Sequence, residues 1–344
     1  MGDTFYQVRH KILSDIIPLS MPYSIYIYPT TFCNFRCSYC AHSLDYDAMK
    51  REYDFIPESM TIDTFKVIVH QLRSFSHKLK LLSLTGQGEP LLNSNIADMV
   101  ELAKKNDIAE RIEIITNASL LTKKMSDDLL DAGLDALRIS LQGLSGKKYK
   151  EICKIDMDFD EFVENIKYFH QKKGNTDLFI KIMDIALDDE NKLYDLFGDC
   201  TDRVAIEHMM PTYSNVDKTA GIKITHNRYG TEIKKLREVC PLCFYMLGIF
   251  PNGDVQPCSS IYKPIILGNV HRENLQDMWK GDMLQKFWKM QLECGKNANR
   301  LCLKCNAPND CAHIEDNLDN NRENILIRLQ SRWGMVDKNE NKTC

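Results

Sequence analysis

The feature that most limits what this chain can fold into is a run of three cysteines, Cys33, Cys37 and Cys40, spaced C-x3-C-x2-C after an alternating, strand-like stretch. Thiolates are the preferred ligands of iron–sulfur clusters, and close spacing lets one loop wrap one metal centre. Three ligands in a tight loop, with no fourth nearby, would leave one iron of a four-iron cubane open to something other than protein. The competing readings are a zinc loop and three thiols buried for packing. Zinc knuckles favour paired C-x2-C or C-x2-H elements, and packing alone imposes no such spacing.

The other cysteines support metal binding. Of thirteen in all, Cys153 and Cys200 are isolated, and eight fall after residue 239. A disulfide framework would be spread more evenly, whereas clustered thiols with C-x2-C pairs look like ligands in a reducing compartment. A net charge of −4 gives no electrostatic reason to expect nucleic acid. Residues Met1 to Ser14 lack the apolar core of a signal peptide, and the longest apolar run, Leu242 to Phe250, is far too short to cross a bilayer. A soluble, cytoplasmic protein with no membrane or nucleic-acid partner is expected.

From Tyr23 to about Pro211 the pattern repeats strand then helix. Strands are predicted at Ser24–Tyr28, Leu79–Thr85, Arg111–Thr116, Ala136–Leu141, Leu178–Asp184 and Arg203–Met209. Helices are predicted at Thr61–Ser74, Asn95–Lys105, Ser126–Ala132, Phe159–Lys172 and Glu190–Phe197. Such alternation implies an α/β fold with parallel strands and βαβ crossovers, whose ligands bind beyond the carboxyl ends of the strands. At 344 residues, one large barrel plus a smaller appendage is expected. The boundaries read as an N-terminal extension over 1–22, a barrel over 23–212, a linker over 213–238, a cysteine-rich unit over 239–316 and a tail over 317–344.

The cysteine spacing resembles that of the radical S-adenosylmethionine (SAM) superfamily, in which SAM chelates the open iron through its amino and carboxylate groups. The resemblance implies a partial (β/α)6 TIM-like barrel with the cluster loop leaving its first strand. Thr85-Gly86-Gln87-Gly88-Glu89-Pro90 then looks like the family's G-G-E-P motif, with Gln87 in place of the usual first glycine. Read on its own, this piece is an ordinary strand-to-helix turn. By resemblance, Gly88 and Glu89 would hold the SAM amino group, Asn117 and Ser140 its ribose or carboxylate, and Tyr39 its adenine. Gln142 stands where many relatives carry Asp, and His208 closes the sixth strand near the expected adenine. Many relatives also carry an arginine for the SAM carboxylate; here that position is Cys153, with Lys154 beside it. Lys could supply the charge but not the bidentate fork.

Towards the C-terminus, Cys240 is followed by twelve residues, Gly253, four residues and Cys258. Pro251-Asn252-Gly253-Asp254 is a turn signal between two β runs, Tyr245–Phe250 and Val255–Pro257. A helix is predicted from Leu275 to about Leu292, and Cys302-Leu303-Lys304-Cys305 follows. This order resembles the SPASM/twitch extension of radical SAM enzymes, which implies auxiliary iron–sulfur clusters. Cys240, Cys258, Cys302 and Cys305 would complete one fully protein-ligated cubane. Cys243, Cys294, Cys311 and Cys344 remain, enough on paper for a second, although Cys344 ends a polar tail and Glu315 stands where the longer pattern expects cysteine. One auxiliary cluster is the expectation, two the alternative, and a structural zinc the bland reading.

The resemblance implies an enzyme that reductively cleaves SAM to a 5′-deoxyadenosyl radical, takes a hydrogen from its substrate and passes a second electron to the auxiliary cluster. A flavodoxin- or ferredoxin-type protein would supply the reducing electron. The twitch likeness points to a small sugar or cyclitol. The SPASM likeness points instead to a ribosomal peptide or protein, through oxidation, cross-linking or sulfatase-type maturation. Only about thirty residues precede the cluster loop, which favours the small substrate. A non-enzymatic iron–sulfur electron carrier is the rival class. No catalytic acid or base is assignable from the sequence.

Overall fold

Alternation, rather than continuous apolar runs, builds the central sheet. In the strand Ala136–Leu141, Leu137, Ile139 and Leu141 are fully buried, while Arg138 and Ser140 between them are half-buried. The computed structural model describes residues 11–213, 215–216, 221–311 and 313–333. Its strands are β1 (Ser24–Ile27), β2 (Leu81–Leu84), β3 (Ile112–Thr116), β4 (Ala136–Leu141), β5 (Asp177–Met183), β6 (Arg203–Glu207), β7 (Met246–Ile249), β8 (Asp254–Gln256) and β9 (Gly268–Asn269). They form one sheet in the order β6-β5-β4-β3-β2-β1-β7-β8-β9. The first six strands pair in parallel and the sheet does not close on itself, as a partial barrel requires.

The returning helices start where side chains can accept their free N–H groups. Thr61, Thr122, Asp158 and Asp189 cap the helices Ile62–Leu72, Lys123–Asp131, Phe159–Lys172 and Glu190–Phe197. These helices cover one sheet face, where Ile25, Leu82, Ile114, Ile139 and Ile180 are fully buried. The other face carries polar residues. Ser83 donates to Glu113 at 2.8 Å, and Lys181 pairs with Glu207 at 3.1 Å.

Two features differ from the sequence pattern. The single C-terminal helix predicted from Leu275 divides at Gly281 into Leu275–Lys280 and Asp282–Cys294, because Gly281 takes an extended backbone (φ −75°, ψ 156°) between them, and a Cβ there would sit 2.8 Å from the Asp277 carbonyl oxygen. The hairpin β7–β8 is also not free-standing: β7 pairs in parallel with β1, setting Ile25 against Leu247 and Ile27 against Ile249. The cysteine-rich segment therefore continues the barrel sheet from its first strand. A last helix, Arg322–Trp333, stacks Trp333 on Trp288 at 5.0 Å, and its Arg328 and Arg332 bind the carbonyl oxygens of Asp15 and Pro18.

Candidate functional site

The C-terminal ends of β1 to β4 converge on the three-cysteine loop. Thr30 and Thr31 anchor its start to residues 56–59, with Thr31 Oγ1 donating to the Ile56 carbonyl at 2.7 Å. Glu89 N donates to the Phe32 carbonyl at 2.8 Å, and a Cβ on Gly88 would collide with that same oxygen. Only glycine lets the two segments approach this closely. Cys33, Cys37 and Cys40 are half-buried neighbours: Cys40 and Cys37 raise the proton affinity of Cys33, and Cys37 that of Cys40. Burial pushes the Cys33 and Cys40 thiols up to about 12 and about 11. As free thiols they are protonated at neutral pH, and metal would have to displace those protons.

Glu89, 2% exposed, is a hub. Its carboxylate accepts from Thr116 Oγ1 at 2.6 Å, Asn117 N at 2.8 Å and Leu91 N at 3.0 Å, so it ties the end of β3 to the loop after β2. Burial raises its pKa, against the pull of these donors. The Asn117 side chain turns towards the cysteine loop: Nδ2 donates to Asn34 Oδ1 at 3.0 Å, and Oδ1 accepts from Ser119. One amide hydrogen of Asn117 remains for a ligand. Ser140 lies half-buried on β4, in register with Lys181. The hydroxyl of Tyr39 and Oε1 of Gln142 are buried without a hydrogen-bond partner, and such orphans suit a bound polar molecule. The Lys154 side chain is exposed and donates to the Glu151 carbonyl at 2.9 Å, whereas Cys153 is fully buried with its sulfur 3.7 Å from that of Cys37. His208 pairs with Asp184 at 3.1 Å beyond β5 and β6.

A second group of thiols lines one pocket in the C-terminal part. Cys240, Cys258, Cys302 and Cys305 are all there, and so is Cys243. The sequence pattern places Cys243 among the surplus cysteines, although its C-x2-C spacing from Cys240 is a signal for it. Gln291, fully buried, accepts from Cys240 N at 3.1 Å and donates to the Cys302 sulfur at 3.7 Å. Lys296 Nζ donates to the carbonyls of Cys302 and Cys305. Cys311 is not among the lining residues. Its sulfur lies 3.9 Å from the Tyr229 hydroxyl, and Asp310 next to it forms an ion pair with Arg228. Cys294 is disulfide-bonded, and Cys344 falls outside the described residues.

The donor chemistry, thiol sulfur throughout, fits iron–sulfur clusters. A zinc ion needs four ligands converging at about 2.0–2.3 Å. Among the described residues no three His, Cys, Asp or Glu side chains form a group able to hold a single ion. Several thiols around one pocket suit a polynuclear core.

Beside this second thiol group, and sharing Cys305 with it, lies an open pocket at the strand ends. Tyr26, Tyr28 and Thr85–Gln87 line its barrel side, Met210 to Tyr213 one wall, and Ser259 to Tyr262 another. Cys305, Ser260 and Tyr262 line both this space and the thiol cavity. Asp310 is the one carboxylate among the described lining residues, which include no Lys or Arg.

Comparison with known proteins agrees with this geometry. Residues 27–196 match the radical SAM superfamily, and residues 240–306 match the SPASM iron–sulfur cluster-binding domain. A GTP 3′,8-cyclase of Clostridium perfringens (strain SM101 / Type A) is 32% identical over 165 residues. That alignment covers 47% of this chain and 46% of the relative, so the chain spans about half the length of the curated relatives it matches first. The crystal structure of BtrN in complex with AdoMet and 2-DOIA shares the fold at a TM-score of 0.55 and 18% identity, covering 83% of this chain and 93% of BtrN. Streptococcus suis SuiB bound to precursor peptide SuiA does so at 0.59 and 20%, covering 87% and 73%. The chain belongs to the radical SAM superfamily and carries a C-terminal SPASM iron–sulfur cluster-binding domain.

Proposed function

We propose that this protein is a radical SAM oxidoreductase that removes two electrons from a small polyhydroxylated substrate of the sugar or cyclitol type. When bound, a four-iron cluster on Cys33, Cys37 and Cys40 together with SAM supplies a hydrogen-abstracting 5′-deoxyadenosyl radical, and a second cluster supplies an electron acceptor. The observation that carries the reading is the open pocket that runs from Gly86 and Gln87 to Cys305. A substrate there is within the chain's own walls at both ends of the reaction. Gly88 and Glu89 hold the cysteine loop against β2 and β3, and Tyr39 and Gln142 offer unpartnered polar atoms to SAM. Cys240, Cys258, Cys302 and Cys305, joined by Cys243, are the candidates for the second cluster.

The lining favours a neutral polyol. Hydroxyls of Tyr26, Thr85 and Ser259 offer both donors and acceptors. A nucleoside triphosphate would call for cationic side chains that the described lining does not contain. A peptide is the second reading. Gln87 and Ile261 also border an adjoining open pocket, beside the exposed Ile56 and Ile266, which would accommodate an extended chain. The helices of the described residues include none long and apolar enough to cross a membrane. Oxygen-labile clusters and many free thiols favour the cytoplasm, where a small flavodoxin- or ferredoxin-type protein would serve as electron donor.

The test is anaerobic incubation of reduced, cluster-loaded protein with SAM and a panel of cyclitols, aminosugars and peptides, counting 5′-deoxyadenosine against product. One 5′-deoxyadenosine per carbonyl formed on a polyol supports the proposal. Oxidation or cross-linking of peptides alone transfers the site to the second reading. No 5′-deoxyadenosine under any condition would leave an electron carrier.

A further inference from the structure

The helix Gly146–Cys153 ends at the position where an arginine would be expected for SAM, and it delivers a thiol instead. Cys153 is fully buried, and its sulfur lies 3.7 Å from Cys37 Sγ. The approach is built into the backbone on both sides of Cys37: Arg36 N donates to the Cys153 carbonyl at 3.0 Å, and Ser38 N to the Ile152 carbonyl at 2.9 Å. Tyr149, one turn earlier in the same helix and also fully buried, packs edge-on against Phe35 of the cysteine loop. The loop is thus clamped to this helix at three successive points, with the two sulfurs in the middle.

We infer that Cys153 is a positioning residue for the three-cysteine cluster, donating its S–H to the Cys37 thiolate and holding that ligand's charge. The inference rests on the proposed cluster at Cys33, Cys37 and Cys40. A ligand cysteine is a thiolate with no proton to give, so the 3.7 Å contact can then run only from Cys153 to Cys37. A donor on a ligand sulfur stabilises the more negative, reduced cluster and moves its potential upward. Cys153 does not reach outward as a fourth ligand, because its sulfur sits on the core side of Cys37, sealed from solvent. The side chain that replaces arginine here therefore acts on the cluster rather than on the SAM carboxylate.

The experiment uses the full chain, loaded with clusters anaerobically, as wild type, Cys153→Ala and Cys153→Ser. Circular dichroism checks that each variant is folded. An electron paramagnetic resonance titration follows the cluster signal that changes on SAM addition, which separates it from any auxiliary cluster. In Cys153→Ala the ratio of reduced to oxidised cluster at fixed potential is expected to fall about three- to tenfold, with tenfold corresponding to about 59 mV. Cys153→Ser keeps a donor and is expected to recover part of that loss. Equal ratios in wild type and Cys153→Ala, or equal losses in Ala and Ser, would overturn the inference, since a mere packing void would affect both alike. A Cys37–Cys153 disulfide recovered from loaded wild-type protein would also overturn it. If wild type holds no SAM-responsive cluster, the proposed function itself fails first.

Discussion

Glu89 carries more of this site than its motif suggests. The motif implies a partner for the SAM ammonium, yet three donors from the chain itself already reach it. Glu89→Gln would set an amide N–H2 group against those donors, so the variant should lose about 1–3 kcal/mol of stability in the metal-free protein as well as SAM affinity. Thermal melting and SAM titration check both effects, and an unchanged melting curve would remove the hub role. Glu207 offers a second test, by pH. Burial raises its pKa, but Lys181 and Arg228 outweigh that and hold it below the ordinary carboxylate value. A depressed carboxylate contributes stability above its unfolded pKa and loses it as pH falls through the folded one. Melting temperature should therefore drop as the pH is taken below about 4.3, and Glu207→Gln should flatten that part of the profile. Neither role was legible in the sequence, because Thr116, Lys181 and Arg228 meet these carboxylates only through the packing of distant strands.

At the scale of elements, the six parallel strands and most helices were legible because alternation and helical periodicity are local properties. The pairing of β7 with β1 was not, since nothing in Met246–Ile249 names its neighbour. That pairing matters for the second thiol cavity. Gly248 on β7 lies so close to the Cys258 carbonyl that a Cβ would collide with it. Anaerobically loaded protein should hold about eight irons, and Cys240→Ala with Cys258→Ala should remove about four. Gly248→Ala should lower iron content in the same cavity by displacing Cys258. About twelve irons in wild type would call for a second auxiliary cluster, for which the described residues outside the cavity offer Cys311 but hold Cys294 in a disulfide. Full iron retention in the double variant would disconnect the C-terminal thiols from metal.

Across the whole molecule, one sheet runs from β6 through β1 to β9, so the two thiol groups and the pocket beside Cys305 share one scaffold. That continuity explains how a substrate could lie against the SAM site and the second cluster together. The central claim is that the first three cysteines support SAM cleavage. The most direct test is 5′-deoxyadenosine formation by anaerobic, dithionite-reduced protein, compared with a variant in which Cys33, Cys37 and Cys40 are all alanine. The account predicts 5′-deoxyadenosine from wild type and none from a folded triple variant. Equal amounts from both, or none from wild type that holds its full iron, would contradict it.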